Sequence, residues 1–213
     1  AQFEYPFGEG KFMIRDGNLK KQILLNDEIK KIIEFKDFEN KEQEFARDIW
    51  ALLYRCNGIN MADLLRMKWS NIRGKYFVFV RMKTENTKHT TEEITIPIST
   101  KVRELLDKIG VKDSPYILGQ LSEGYSEATF RNKLKKIRRI TNTNLAFLTE
   151  KLKLSVNLNC GGARYAYANC LKQNGRSIDQ ISEMLGHSSV QVTKRYLDSF
   201  DLGKTDEINE CLF

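Results

Sequence analysis

Three residues in the C-terminal quarter of the chain have types that can do chemistry together: Arg164, His187 and Tyr196. Arginine offers a planar, permanently charged fork that fits two oxygens of an oxyanion. Histidine titrates near neutrality and can donate a hydrogen bond or pass a proton. Tyrosine has a reference pKa of about 10, so it serves as a nucleophile only where a base or a positive field helps it ionise. An anionic ester repels nucleophiles by its own charge, and attack on it needs cations around its nonbridging oxygens.

Taken singly, each residue has a plainer reading. Arg164 opens a helix with Ala163, Ala166, Tyr167, Cys170 and Leu171 on another face, where a lone arginine is usually a surface ion-pair partner. His187 follows a helix-ending glycine, Gly186, a common turn position. Tyr196 lies six residues after Val190 and can simply be packed. Their joint spacing carries more weight: Arg164, then Leu185-Gly186-His187-Ser188-Ser189, then Tyr196-Leu197.

The elements that must position these residues are readable from pattern. Residues 1–25, with turn signals at Pro6-Phe7-Gly8 and Asp16-Gly17, read as a linker or arm. Asn26 before Asp27-Glu28 starts a helix with Ile29, Ile32 and Ile33 on one face. Asn40 with Gln43 forms a capping box for a second helix, whose stripe of Phe45, Ile49, Leu52 and Leu53 runs towards Cys56. A short third helix follows Asn60, with Leu64 and Leu65 inward. Tyr76 to Met82 and Glu93 to Pro97 have strand character, and the polar run Thr84 to Thr91 between them is a long, mobile hairpin tip. Helices are expected over Ser126 to Ile140 and Arg164 to Asn174, the latter stopped by Gly175. Ser177 with Gln180 opens the next helix, Gly186 closes it, and Ser188 or Ser189 opens the one carrying Tyr196. The expected fold class is mainly α (α+β), a helical domain with one small antiparallel β-hairpin or sheet.

Composition bounds the partners. The 213 residues, 41% hydrophobic and 30% charged, suit an ordinary globular domain with a proper core. No run approaches the roughly 18 apolar residues of a membrane span, and the start lacks a signal-peptide pattern. The chain therefore reads as cytosolic, with no membrane partner. Cys56, Cys160, Cys170 and Cys211 lie far apart without a CxxC pair, which points to free, mostly buried thiols and to neither a zinc site nor a disulfide framework. The net charge of +7 favours a polyanion without naming one. The run Arg131, Lys133, Lys135, Lys136, Arg138, Arg139 is either a solvated helix face or a phosphate-contacting surface.

Arg164, Leu185-Gly186-His187-Ser188-Ser189 and Tyr196 resemble, in order and spacing, the second box of the tyrosine recombinase (phage-type integrase) family. That family carries an arginine at a helix start, the motif LGHSS, and a tyrosine nine residues past the histidine. Asn57 to Trp69, reading NGINMADLLRMKW, looks like its first box, and Lys83-Thr84 like its lysine hairpin. The similarity covers roughly Asn26 to Phe200 and is closest to integrases of Bacteroidetes mobile elements, where Tyr196 to Phe200 has its counterpart.

The resemblance implies a helical catalytic domain over residues 26–200 that breaks and rejoins double-stranded DNA. Tyr196 would be the nucleophile, forming a 3′-phosphotyrosyl intermediate. Arg164 and His187 would serve the phosphate, and Lys83 would protonate the departing 5′-oxygen. Arg131, Lys135 and Arg138 are the expected DNA-phosphate contacts. No cofactor and no metal are implied. Residues 201–213 would form a tail that docks on a neighbouring protomer, in a protein monomeric alone and tetrameric on synapsed DNA. A separate core-binding domain usually precedes the catalytic one, and 25 residues are too short for it. Alternatives are a type IB topoisomerase or a DNA-binding relative with impaired catalysis.

Two positions depart from the family pattern. Asn60 stands where the first-box arginine belongs, and is expected to cap the following helix with Asp63 at the third position. Arg55 is the preferred substitute cation, with Arg66 as the other choice. Gly161 stands where a histidine is common, and Tyr165 replaces another.

Overall fold

The computed structural model describes residues 24–82, 93–187 and 189–198, with the backbone alone at Arg195, Tyr196 and Asp198. Its first helix, α1 (Asn26–Glu34), buries Ile29 and Ile32, as their spacing predicts. The start differs by one residue: Leu25 holds the cap position, and the Glu28 carboxylate accepts its N–H at 2.9 Å. Residue 24 already belongs to the core, since Leu24 is buried in it.

α2 (Lys41–Arg55) is the central helix. Asn40 accepts the Gln43 N–H, as read from sequence, but the Gln43 side chain accepts the N–H of Glu39 rather than that of Asn40, so the box closes one residue before the cap. Ile49, Trp50, Leu52 and Leu53 are wholly buried. The short α3 (Met61–Arg66) turns Met61, Leu64 and Leu65 inward. A 3-10 turn, Trp69–Asn71, leads into an antiparallel sheet of β1 (Ile72–Arg73), β2 (Tyr76–Val80) and β3 (Glu93–Pro97), in that order. Phe77 pairs with Ile96 in register, and both side chains are buried. The two strands expected to form the hairpin therefore pair, with β1 added at their edge, and the expected tip, Thr84 to Thr91, lies outside the described residues.

α4 (Thr100–Ile109) is capped by Ser99. α5 (Glu127–Lys151) runs eleven residues past the Ile140 end expected from sequence, because Thr141, Leu145 and Leu148 continue the buried stripe of Phe130 and Ile137. α6 (Cys160–Gln173) starts four residues before Arg164, capped by Asn159, whose side chain accepts the Gly162 N–H. α7 (Ile178–Met184) has the Ser177–Gln180 box, and α8 (Val190–Asp198) follows.

α2 packs against α1, α4, α5 and α6. A second, smaller apolar cluster of Ala168, Ile181, Leu185 and Leu197 binds α6, α7 and α8 together. Leu197, only 1% exposed, anchors the last turn of α8, which carries Tyr196. Among the described residues no helix is long and apolar enough to cross a membrane.

Candidate active site

The turn between α2 and α3 is built for close approach. Asn57 and Gly58 are consecutive residues in the left-handed region, with φ of 55° and 63°. A Cβ on Gly58 would lie 2.9 Å from the Arg164 Cα, so only glycine lets α6 pass there. The Arg164 side chain is consequently pressed against the turn and is buried, 8% exposed. Its Nη1 donates to the Gly58 carbonyl at 2.8 Å and its Nη2 to the Leu185 carbonyl at 2.6 Å. These bonds fix the plane of the guanidinium, and they span both sequence boxes.

Leu185 and Gly186 end α7, where backbone carbonyls lack partners within the helix and carry its negative end. Gly186 adopts φ of 61°, and a Cβ there would meet Ile94 at 2.8 Å. Two guanidinium groups serve these carbonyls. Beside Arg164 stands Arg81, one residue beyond β2, whose Nη1 donates to the Gly186 carbonyl at 2.5 Å and the Leu185 carbonyl at 3.4 Å. Its Nε lies 3.8 Å from an Asp63 carboxylate oxygen, while the other Asp63 oxygen accepts the Met82 N–H at 3.0 Å.

Asp63 is thus a brace for the end of β2. Asn60 holds the cap position of α3 but makes no side-chain cap bond. The expected Asn60 side-chain cap is therefore corrected: Asp63 faces the strand end and Arg81.

His187 directly follows this carbonyl pair. Its backbone N–H donates to the Ser182 carbonyl at 2.9 Å. Its ring Nδ1 lies 2.7 Å from Oγ1 of Thr193, a wholly buried residue on α8. One hydrogen bond therefore ties the histidine ring to the helix that bears Tyr196.

The structure brings Arg164 and His187 together around Leu185 and Gly186, and adds Arg81, which sequence reading passed over. Lys83 lies outside the described residues, two positions after Arg81. Arg55 ends α2 and lines a cavity of about 310 Å³ with Asn26, Ile29, Lys30, Tyr54 and Cys170. Arg66 lines another, of about 240 Å³, with Asp63, Lys68, Asn71 and Phe79. Arg131, Lys135 and Arg138 are exposed on α5, and Arg131 Nε bonds Glu127 at 2.9 Å. Gly161 is exposed in the first turn of α6. Cys56 and Cys160 are buried free thiols, pushed up to about 12 and about 11 chiefly by that burial. Cys170 is half-buried, and Cys211 lies outside the described residues.

Comparison with known proteins places the chain in a family. The profile described as the phage integrase family matches residues 22–202. A tyrosine recombinase from Pseudothermotoga lettingae is 24% identical over 203 residues, covering 93% of this chain and 65% of the relative. The chain thus spans slightly less than two thirds of that relative's length. Among solved structures, XerA recombinase superposes with a TM-score of 0.58 at 18% identity, over 88% of this chain and 65% of that one. The Tn1549 transposon integrase, solved in complex with transposon right end DNA, does so with a TM-score of 0.62 at 13% identity, over 97% and 70%. These likenesses establish a shared fold. The profile match covers most of the chain, and the chain belongs to the phage integrase family.

Proposed function

We propose that this chain is the catalytic part of a site-specific DNA recombinase or integrase acting in the cytoplasm on a mobile element, of the kind found in Bacteroidetes. The observation that carries the reading is the convergence of Arg164 and Arg81 on the Leu185–Gly186 carbonyls, immediately before His187. Two buried guanidinium groups held by carbonyls form a preorganised positive site for a scissile phosphate. Such a site stabilises the charge that builds on the nonbridging oxygens in the transition state.

The Tyr196 phenolic oxygen, its proton passing to solvent, attacks phosphorus, and the bond to the 5′-oxygen breaks. Lys83 gives that oxygen a proton, leaving a free 5′-hydroxyl and a 3′-phosphotyrosyl bond. A 5′-hydroxyl from the partner strand then attacks phosphorus and expels Tyr196, so the strand is rejoined without an external energy source. The Nδ1 bond to Thr193 sets the plane of His187, and Nε2 is the atom assigned to the phosphate. Arg81 takes the part that Asn60 cannot play, and Arg131, Lys135 and Arg138 hold neighbouring phosphates. The tail from residue 201 docks on a neighbouring protomer, in a tetramer assembled on synapsed DNA.

A nicked half-site duplex tests this, because loss of the short 5′ fragment traps the covalent product. The chain should accumulate a protein–DNA adduct, Tyr196→Phe should form none, and Arg164→Ala should be slower by at least about a hundredfold. An adduct formed equally well by Tyr196→Phe would contradict the reading.

A further inference from the structure

Arg164 depends on two carbonyls, those of Gly58 and Leu185, and a single hydroxyl touches the residue before each. Tyr167 lies three residues after Arg164 on α6. Its hydroxyl donates to the Asn57 side-chain oxygen at 3.1 Å. The Tyr167 hydroxyl oxygen also lies 4.0 Å from the Met184 sulfur. Asn57 adjoins Gly58 in the left-handed turn, and Met184 adjoins Leu185 at the end of α7. The Tyr54 ring packs edge-on against that of Tyr167, centroids 6.0 Å apart, and holds it from the other side. Burial, and next the neighbouring Cys170, push the Tyr167 hydroxyl up to about 12, so it remains a neutral donor at working pH.

We infer that Tyr167 is a positioning residue, setting the orientation of the Arg164 guanidinium by bonding Asn57 and bracing Met184. This rests on the proposed recombinase reading for its catalytic consequence, though not for its geometry. The left-handed conformation is unfavourable for a non-glycine residue such as Asn57, so the bond that Tyr167 makes to its side chain helps hold the turn, and with it the direction of the Gly58 carbonyl. A small misalignment of the cation relative to the phosphate is costly in the transition state and nearly neutral for binding an exposed DNA backbone.

Tyr167→Phe keeps the ring and its packing and deletes only the hydroxyl. On the nicked half-site, the rate of adduct formation should fall about five- to tenfold, the loss expected for one hydrogen bond acting at the barrier. DNA affinity should stay within about twofold of the parent, and the chain should remain folded at the assay temperature, its unfolding shifted by no more than about 2–4 °C. Asn57→Gly, which tolerates the left-handed conformation, should show the same loss, and the double variant no further loss. A parental rate in Tyr167→Phe overturns the inference. So does a rate loss matched by an equal loss of DNA affinity, or one accompanied by unfolding at the assay temperature, which would mark a merely structural role. The side-chain nitrogen resonances of Arg164 provide a readout that needs no catalysis. They should be resolved in the parent and averaged by faster rotation in Tyr167→Phe, and identical spectra sink the inference. A parent chain that forms no adduct refutes the recombinase reading, and the spectra then still decide the role of Tyr167.

Discussion

Arg164 and Arg81 meet on one atom, the carbonyl oxygen of Leu185, at 2.6 and 3.4 Å. Like charges this close repel, and the carbonyl end of α7 offsets the repulsion. A phosphate arriving beside them would meet two cations already oriented, one from each side of the fold. On the proposed reading, that convergence is how a chain with Asn60 in its first box would still surround a phosphate.

Arg81→Ala should lower the rate of adduct formation by about two to three orders of magnitude, the usual loss when one transition-state donor is removed. Arg81→Lys should recover part of it. Arg55→Ala, altering a residue in the cavity beside α1, should cleave at close to the parental rate. Single-turnover kinetics on a nicked duplex measure all three. A slow Arg55→Ala beside a fast Arg81→Ala would return the role to Arg55.

Gly58→Ala should cost about 1–2 kcal/mol for the left-handed conformation, and more for the contact with the Arg164 backbone. Gly74 is the natural control. Its φ is 62°, against 63° for Gly58, but nothing lies within 4 Å of a Cβ there. Urea unfolding of both variants separates strain from collision. Equal losses would mean that α6 does not press on the turn.

The fold and the site were legible to different degrees. Arg164, Leu185 to Ser189 and Tyr196 stand out because the roles proposed for them rest on local spacing along consecutive helices. Arg81 has no such mark. It meets Leu185 only because the end of β2 abuts the end of α7, 104 residues away in sequence. Thr141 to Asn144 read as a helix end since threonine and asparagine are weak helix formers. Burial of Thr141 and Leu145 against the core overrides that preference in α5. Glycines 161 and 162 hid the start of α6 in the same way, and there the Asn159 cap was the missed signal.

The bond between His187 Nδ1 and Thr193 predicts that Thr193→Val, close in shape but without the hydroxyl, slows adduct formation by about tenfold. A rate equal to the parent's would show that the ring is oriented by other contacts.

Glu28 links the start of α1 to the loop after α5. Its carboxylate accepts the N–H groups of Ser155 and Leu25, each at 2.9 Å. Burial alone would raise its pKa, but those bonds outweigh it and hold the value below the ordinary 4.5. The folded state therefore favours the anion. The stabilisation is present above the ordinary carboxylate range and is lost as pH falls through the lowered folded value. Glu28→Gln should be less stable than the parent at neutral pH, with the gap closing in acid. Urea midpoints at several pH values check this, and a gap that does not change with pH would refute it.

The central claim is that Tyr196 becomes joined to DNA. Trypsin cuts after Arg195 and Lys204, so Tyr196 falls in a peptide of nine residues, YLDSFDLGK, in which it is the only tyrosine. After reaction with a nicked half-site, nuclease trimming and trypsin digestion, mass spectrometry should find that peptide carrying a 3′-linked nucleotide phosphate. The same mass on a peptide bearing Tyr165 or Tyr167, or an adduct on no tyrosine at all, would contradict the account.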